Sequence, residues 1–229
     1  NTGTTVKVWP NPKYFDVPKV PMNELERLLR SKAVLLPGVA VQLDVEQADG
    51  SLSSKQWHYP GGLAQYLSEL AGDQEPVAPL FTGEKYAASD DEAFASGEGA
   101  AWTFGWFDPA VPAESYVNLI PTVAGGTHES GLRAGVFEAV KSFIEHHALL
   151  PRGLKLQQDD ACSRLSFVLS ARLLDPQFQG QVKEKLNSRE AVKLVSSQLR
   201  DPFEIWLNKH VEAGRAIAEL SIKQALARQ

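Results

Sequence analysis

The chain has 229 residues, 43% of them hydrophobic, with a mean hydropathy of -0.22 and a formal net charge of -5. This composition fits a globular protein with a sizeable core, in one large domain or two modest ones, and no apolar run approaches the ~18 residues of a membrane span. The acidic balance argues against a generally basic nucleic-acid binder, and the lone Cys162 excludes an internal disulfide, so a reducing cytoplasm is the default expectation.

The charge is uneven. Residues 1–119 balance at -8 and residues 120–229 at +3, which leaves room for a phosphate-bearing partner in the second half. The chain starts at Asn1 without a signal-peptide pattern and reads as a piece of a longer protein.

Taken in order, Thr4 to Trp9 alternates and is β-branched, which predicts a strand ending at Pro10. Four prolines up to Pro21 punctuate a loop, and Met22 to Leu36 reads as a helix with Leu25, Leu28 and Leu29 on one face. Pro37-Gly38 turns the chain. Val39 to Val45 is a strand, Asp49-Gly50 a hairpin signal, and Gln56 to Tyr59 the return strand. Gly61-Gly62 marks a domain boundary, followed by a short helix over Leu63 to Leu70 and a polar connector over 72–79.

Leu80 to Ala87, Ala100 to Phe107 and Ser115 to Ile120 read as strands, with the acidic stretch "AASDDEAFASGEG" expected as a mobile hairpin end. Gly131 to Leu149 is the clearest amphipathic helix, and Leu165 to Leu174 a strand with Phe167, Leu169, Ala171 and Leu173 on its apolar face. Asn187 with Glu190 has the spacing of a capping box for a helix over 188–200. Asp201-Pro202 then predicts a restart, with a last helix running to Ala227 and serving as a strut. Strands followed by helices in two successive units point to an α+β fold.

Three stretches carry candidate chemistry. In "DPQFQGQVKEKL", residues 175–186, Pro176 fixes the exit from a strand, Gly180 frees the backbone, and Gln181 and Lys183 alternate. A lysine on such a loop suits a phosphate oxygen. On spacing alone, a solvated basic loop is the favoured reading, and the chain holds neither a GxxxxGK[ST] nor a GxGxxG phosphate loop.

In "TVAGGTHESGLRAG", residues 122–135, a glycine turn precedes a helix that Thr127 or Ser130 could cap. A packing turn is the plainer reading there. His128 reads as a structural hydrogen-bonder, and Arg133, taken alone, as a surface charge. Glu145-His146-His147 lacks metal-ligand spacing, and no metal site is expected. Asp90-Asp91 and Asp159-Asp160 read as a turn and a helix start.

Together these motifs resemble one family, the B subunits of bacterial type IIA topoisomerases. "NTGTTVKVWPNPKYF" resembles the last strand of their GHKL-type ATPase domain, and "YVNLIPTVAGGTHESGLRAGV" the opening of their transducer domain. "LLDPQFQGQVKEKL" resembles their ATP-sensing loop, which reads Gln-Thr-Lys in the family. "ESYVNLIPT" and "LLPRGLKL" are closer to the topoisomerase IV branch than to gyrase.

The resemblance implies that residues 1–62 are the C-terminal part of the ATPase domain and residues 63–229 a transducer of ribosomal S5 domain 2-like fold. It implies that Lys183, with Gln181 beside it, meets the γ-phosphate of ATP, that Thr4 lies near the adenine pocket, and that Arg133 faces the DNA cavity of the dimer. Val182 departs from the family threonine, which removes a hydroxyl but not the charge. ATP with Mg is the implied cofactor, its main pocket lying outside this chain. The implied partners are the A subunit of topoisomerase IV, DNA and a second B subunit, with no membrane. Alone, the piece is expected to be inactive. The rival readings are the B subunit of gyrase and a stand-alone S5-like binding module.

Overall fold

The computed structural model describes residues 2–229. In chain order the elements are α1 (Met22–Leu35), β1 (Ala40–Glu46), β2 (Leu52–His58), α2 (Gly62–Ala71), β3 (Phe81–Tyr86), β4 (Gly99–Trp106), β5 (Glu114–Val117), β6 (Ile120–Pro121), α3 (Thr127–His146), α4 (Gln158–Cys162), β7 (Leu165–Arg172), α5 (Glu190–Lys209) and α6 (Val211–Arg228). The α+β class is as expected. No described helix is long and apolar enough to cross a membrane.

β1 and β2 form an antiparallel hairpin by themselves, closed at Asp49-Gly50. The other strands form one sheet in the order β3-β4-β7-β5-β6, antiparallel except for the β5–β7 pair. A parallel pair needs a long crossover, and α3 with α4 supplies it. β7 is central and buried on both faces along most of its length, with Ser166 and Ser170 interrupting its apolar residues.

Phe167 and Leu169 pack with Trp102, Phe104 and Trp106 of β4 against Leu132, Val136 and Val140 of α3 and Leu199 and Phe203 of α5. Val168 points the other way, into a second cluster with Tyr66 and Leu67 of α2 and Ala33 and Val34 of α1. The sheet therefore lies between a layer of long helices and a layer made by α1, α2 and the residues between them.

Several expectations need correction. Thr4 to Trp9 is not a strand: no described neighbour pairs with it, and Val6, Val8 and Trp9 are 78%, 74% and 68% exposed. An alternating pattern makes a strand only where a ladder and a buried face exist. Ser115 to Ile120 is not one strand but a tight hairpin, turning at Asn118-Leu119. The acidic 87–99 stretch joins β3 to β4 as expected and is mostly exposed, with Phe94 packed against a small cluster around Leu173 and Leu186.

Neither Thr127 nor Ser130 caps α3, which starts at Thr127, and the Asn187–Glu190 capping box does not form. α5 runs straight through Pro202. Proline inside a helix costs ~3 kcal/mol, but Val195, Leu199, Phe203 and Leu207 make one continuous buried stripe across it. Phe203 and Leu207 alone bring ~1.5–3 kcal/mol each on burial, so packing wins.

The long C-terminal helical region is present, yet it breaks at His210, where φ is -119° and ψ 64°. α6 then packs close to α3, with Gly214 so near Phe143 that a Cβ there would lie 2.5 Å from the ring. Ile217 and Ala218 are buried in the core, so in place of one helix from Pro202 to Ala227 there are two, the second packed into the core.

Candidate functional site

The loop after β7 is a small hairpin. Asn187 N donates to Gln177 O at 2.7 Å and Gln179 N to Lys185 O at 2.9 Å, with Gly180 at φ 78° opening the tip. Gln181, Val182 and Lys183 at that tip are all exposed. The Lys183 ammonium lies 5.9 Å from the Phe178 ring centre and makes no ion pair among the described residues. A cation over the hairpin's own aromatic ring remains available to an incoming anion.

The body of the hairpin docks on the turn before α3. Leu186 N donates to Gly125 O at 3.0 Å, Thr127 N to Leu186 O at 3.2 Å, and Ala124 N to Glu184 O at 3.0 Å. Two stretches that sequence spacing left separate, 122–135 and 175–186, are thus one structural unit. Gly126 makes this possible: at φ 141°, a Cβ there would lie 2.4 Å from Leu186 O. Phe178, Leu186, Leu173 and Phe94 bury the hairpin's apolar side.

Behind the turn lies a polar chain. His128 is fully buried, its Nε2 2.9 Å from Thr122 Oγ1. Thr122 Oγ1 meets Ser115 Oγ at 2.7 Å, and Ser115 Oγ donates to Glu129 Oε2 at 2.6 Å. Burial drives the His128 pKa down to about 4, so the ring is neutral at pH 7. It is the structural hydrogen-bonder expected, with no route to act as a base on solvent-borne substrate.

The root of the hairpin carries residues that pattern reading missed. The Asn118 side chain pairs with the Leu173 backbone in both directions, at 2.8 and 3.0 Å, and Leu174 N donates to Glu98 Oε2 at 3.1 Å. Asn118 was hidden inside what reads as a strand; its tolerance of left-handed backbone was the available signal.

Thr4 is exposed in the irregular N-terminal segment. Arg133 sits in α3, its guanidinium 5.3 Å from the Phe167 ring centre. Thr4, Arg133 and Lys183 share no hydrogen bond or ion pair. Cys162 is buried beside the Arg133 backbone carbonyl, and burial pushes its thiol up to about 12, so it is no nucleophile. Among the described residues no group of three or more His, Cys, Asp or Glu is placed to hold a metal.

The tip offers one ammonium and one carboxamide on a hairpin whose body is docked. That donor set fits phosphate oxygens, and it leaves the rest of any nucleotide pocket to be supplied from elsewhere.

Comparison with known proteins places this architecture. Over 98% of its length the chain is 41% identical to the DNA topoisomerase 4 B subunit of Pseudomonas aeruginosa and 40% identical to that of Escherichia coli. It spans 34% of the length of each of these relatives. It superposes with a TM-score of 0.74 at 32% identity on a Francisella tularensis structure described as the topoisomerase IV ATP binding domain, covering 96% of this chain and 57% of that one. The ATPase domain of Thermus thermophilus gyrase B shares the fold at a TM-score of 0.73 and 22% identity, covering 96% of this chain and 57% of that one. The sequence model for DNA gyrase B matches residues 62–229, most of the chain, and the chain belongs to that family.

Proposed function

We propose that this chain is the joint between the ATPase and the DNA gate in the B subunit of an ATP-dependent type IIA topoisomerase of the topoisomerase IV kind. Residues 1–62 are the end of the GHKL ATPase domain, and residues 63–229 are the S5-like transducer. The observation that carries the reading is Lys183, a cation without an ion pair among the described residues, at the tip of a hairpin docked on the Gly125-Gly126 turn. Lys183, with Gln181 beside it, reaches the γ-phosphate of ATP bound with Mg in the upstream part of the protein. There it stabilises charge developing in phosphoryl transfer. Its contact exists only while the terminal phosphate does, which turns nucleotide state into domain movement.

Thr4 approaches the adenine side, and Arg133 faces the cavity that holds the transported duplex. In the cytoplasm the whole enzyme joins two B subunits to the A subunits of topoisomerase IV, passing one duplex through another to decatenate and relax DNA. Alone, this piece does not hydrolyse ATP.

The test is ATP hydrolysis by the full-length protein carrying Lys183→Ala. A fall in kcat of about 10²-fold or more, the scale of losing one such charge-stabilising donor, supports the reading. An unchanged rate reduces the hairpin to a basic turn. Decatenation without supercoiling by the reconstituted enzyme separates the topoisomerase IV reading from gyrase.

A further inference from the structure

Asn118 and Leu119 form the turn between β5 and β6, with φ of 48° and 67°. A two-residue turn of this hand needs left-handed backbone at both positions, where Asn followed by Gly is the comfortable pair. Leu119 occupies the glycine position. Strain of this kind persists where surrounding contacts over-determine it.

Two sets of contacts do so. Lys32 Nζ reaches from α1, 87 positions away in the chain, and donates to Leu119 O at 2.6 Å. The ammonium is half-buried there, and desolvation lowers its pKa. On the other side, Asn118 N donates to Ala171 O at 2.9 Å, and the Asn118 carboxamide pairs with Leu173 N and O. Leu173 is the root of the Lys183 hairpin. One unbroken run of hydrogen bonds and backbone therefore joins α1, in the first unit, to the base of the hairpin in the second. A cleft of about 670 Å³ lies along the same joint, lined by Leu35, Pro37, Gly62, Leu119 and Leu173 among others. α1 is also held on its inner side, where Ala33 and Val34 pack with Tyr66, Leu67 and Val168, so a change in its angle is passed on rather than absorbed.

We propose that Lys32 and Asn118 are positioning residues for Lys183. Lys32 holds the strained Leu119 carbonyl, Asn118 transmits that hold to Leu173, and the angle of α1 sets where the hairpin tip points. The inference rests on the phosphate-sensing reading of Lys183, and it adds the residues through which the first unit and the sensor feel each other.

The experiment uses the full-length protein, with Lys32→Met, Lys32→Arg, Lys183→Ala and the double variant Lys32→Met/Lys183→Ala. Steady-state ATP hydrolysis and amide hydrogen exchange without nucleotide are measured on each. Lys32→Met is expected to lower kcat about fivefold with KM within about twofold. Lys32→Arg restores kcat, and Lys32→Met has no further effect on top of Lys183→Ala. Exchange at the Leu173 amide, which Asn118 holds, rises about tenfold in Lys32→Met while the unfolding midpoint holds.

If Lys183→Ala lowers kcat but Lys32→Met changes neither kcat nor exchange, the positioning role is overturned and the sensing reading stands. Additive losses in the double variant overturn it too. If Lys183→Ala leaves kcat unchanged, the sensing reading fails and this inference falls with it.

Discussion

A methyl group on Gly126 would lie 2.4 Å from Leu186 O and 2.6 Å from Leu186 N. Both are backbone atoms, so the clash cannot be relieved by a side chain turning aside. Gly126→Ala is therefore expected to undock the hairpin locally. A cost of ~1–3 kcal/mol follows from the strained backbone alone. Limited proteolysis should show new cleavage within 175–186, with cleavage elsewhere unchanged.

Gly131 and Gly135 set the approach of α3 to α5. A Cβ at Gly131 would lie 2.5 Å from Val192 O. In a free helix, Gly→Ala gains up to ~1 kcal/mol, whereas forcing an extra carbon into a packed contact costs ~1–3 kcal/mol. Here the clash wins: Gly131→Ala should be less stable by ~1–2 kcal/mol in urea unfolding. A more stable variant would mean the helices have room to separate.

His128 predicts a pH dependence. Its folded pKa is about 4 against 6.5 in the unfolded chain, so between those values the unfolded state binds more protons. Stability is thus full above pH 6.5 and declines as pH falls toward 4, by up to ~3 kcal/mol from this one group. His128→Gln should flatten the slope of unfolding free energy between pH 6.5 and 4.5. An unaltered slope would mean that the ring protonates in place.

α6 is fastened at its end by Arg228, whose Nε and Nη2 donate to the two oxygens of Asp160 at 3.0 and 2.9 Å. These bonds hold the Asp160 carboxyl below its ordinary pKa. Their stabilisation is present above the unfolded value of 3.8 and is lost as pH falls through the lower folded value. Arg228→Ala should lower the thermal midpoint by a few degrees at neutral pH and by less in strong acid. An equal deficit at every pH would assign the effect to packing of the arginine stem instead.

Elements carried by local pattern were legible in the sequence. The α1 helix, the Asp49-Gly50 hairpin, the amphipathic α3 and the apolar face of β7 all follow from periodicity and turn chemistry. What failed depended on neighbours. Thr4 to Trp9 has the strand pattern but no partner strand among the described residues. Pro202 looks like a helix start, yet the stripe from Val195 to Leu207 carries the helix through it. The break at His210 has no glycine or proline to announce it. At the candidate site, charge and spacing alone read the Lys183 loop as a solvated basic loop, and only the family resemblance gave Lys183 and Gln181 a role. The Gly125-Gly126 turn read as a packing turn, but its partner Leu186 and the supports at Asn118 and Lys32 were invisible because each acts on backbone atoms far away in sequence.

The strand order has a consequence for synthesis. The hairpins β3–β4 and β5–β6 are complete once residue 121 has been made, but only β7, residues 165–172, can join them. Until then the inner edges of β4 and β5 stay unpaired, and the apolar stripe of α3 has half a sheet to cover it. Pairings of such sequence separation close late. A chain stalled on the ribosome before residue 172 should be a sticky, chaperone-seeking intermediate. A chain extended through α5 can shut the sheet and its helical cover in one cooperative step.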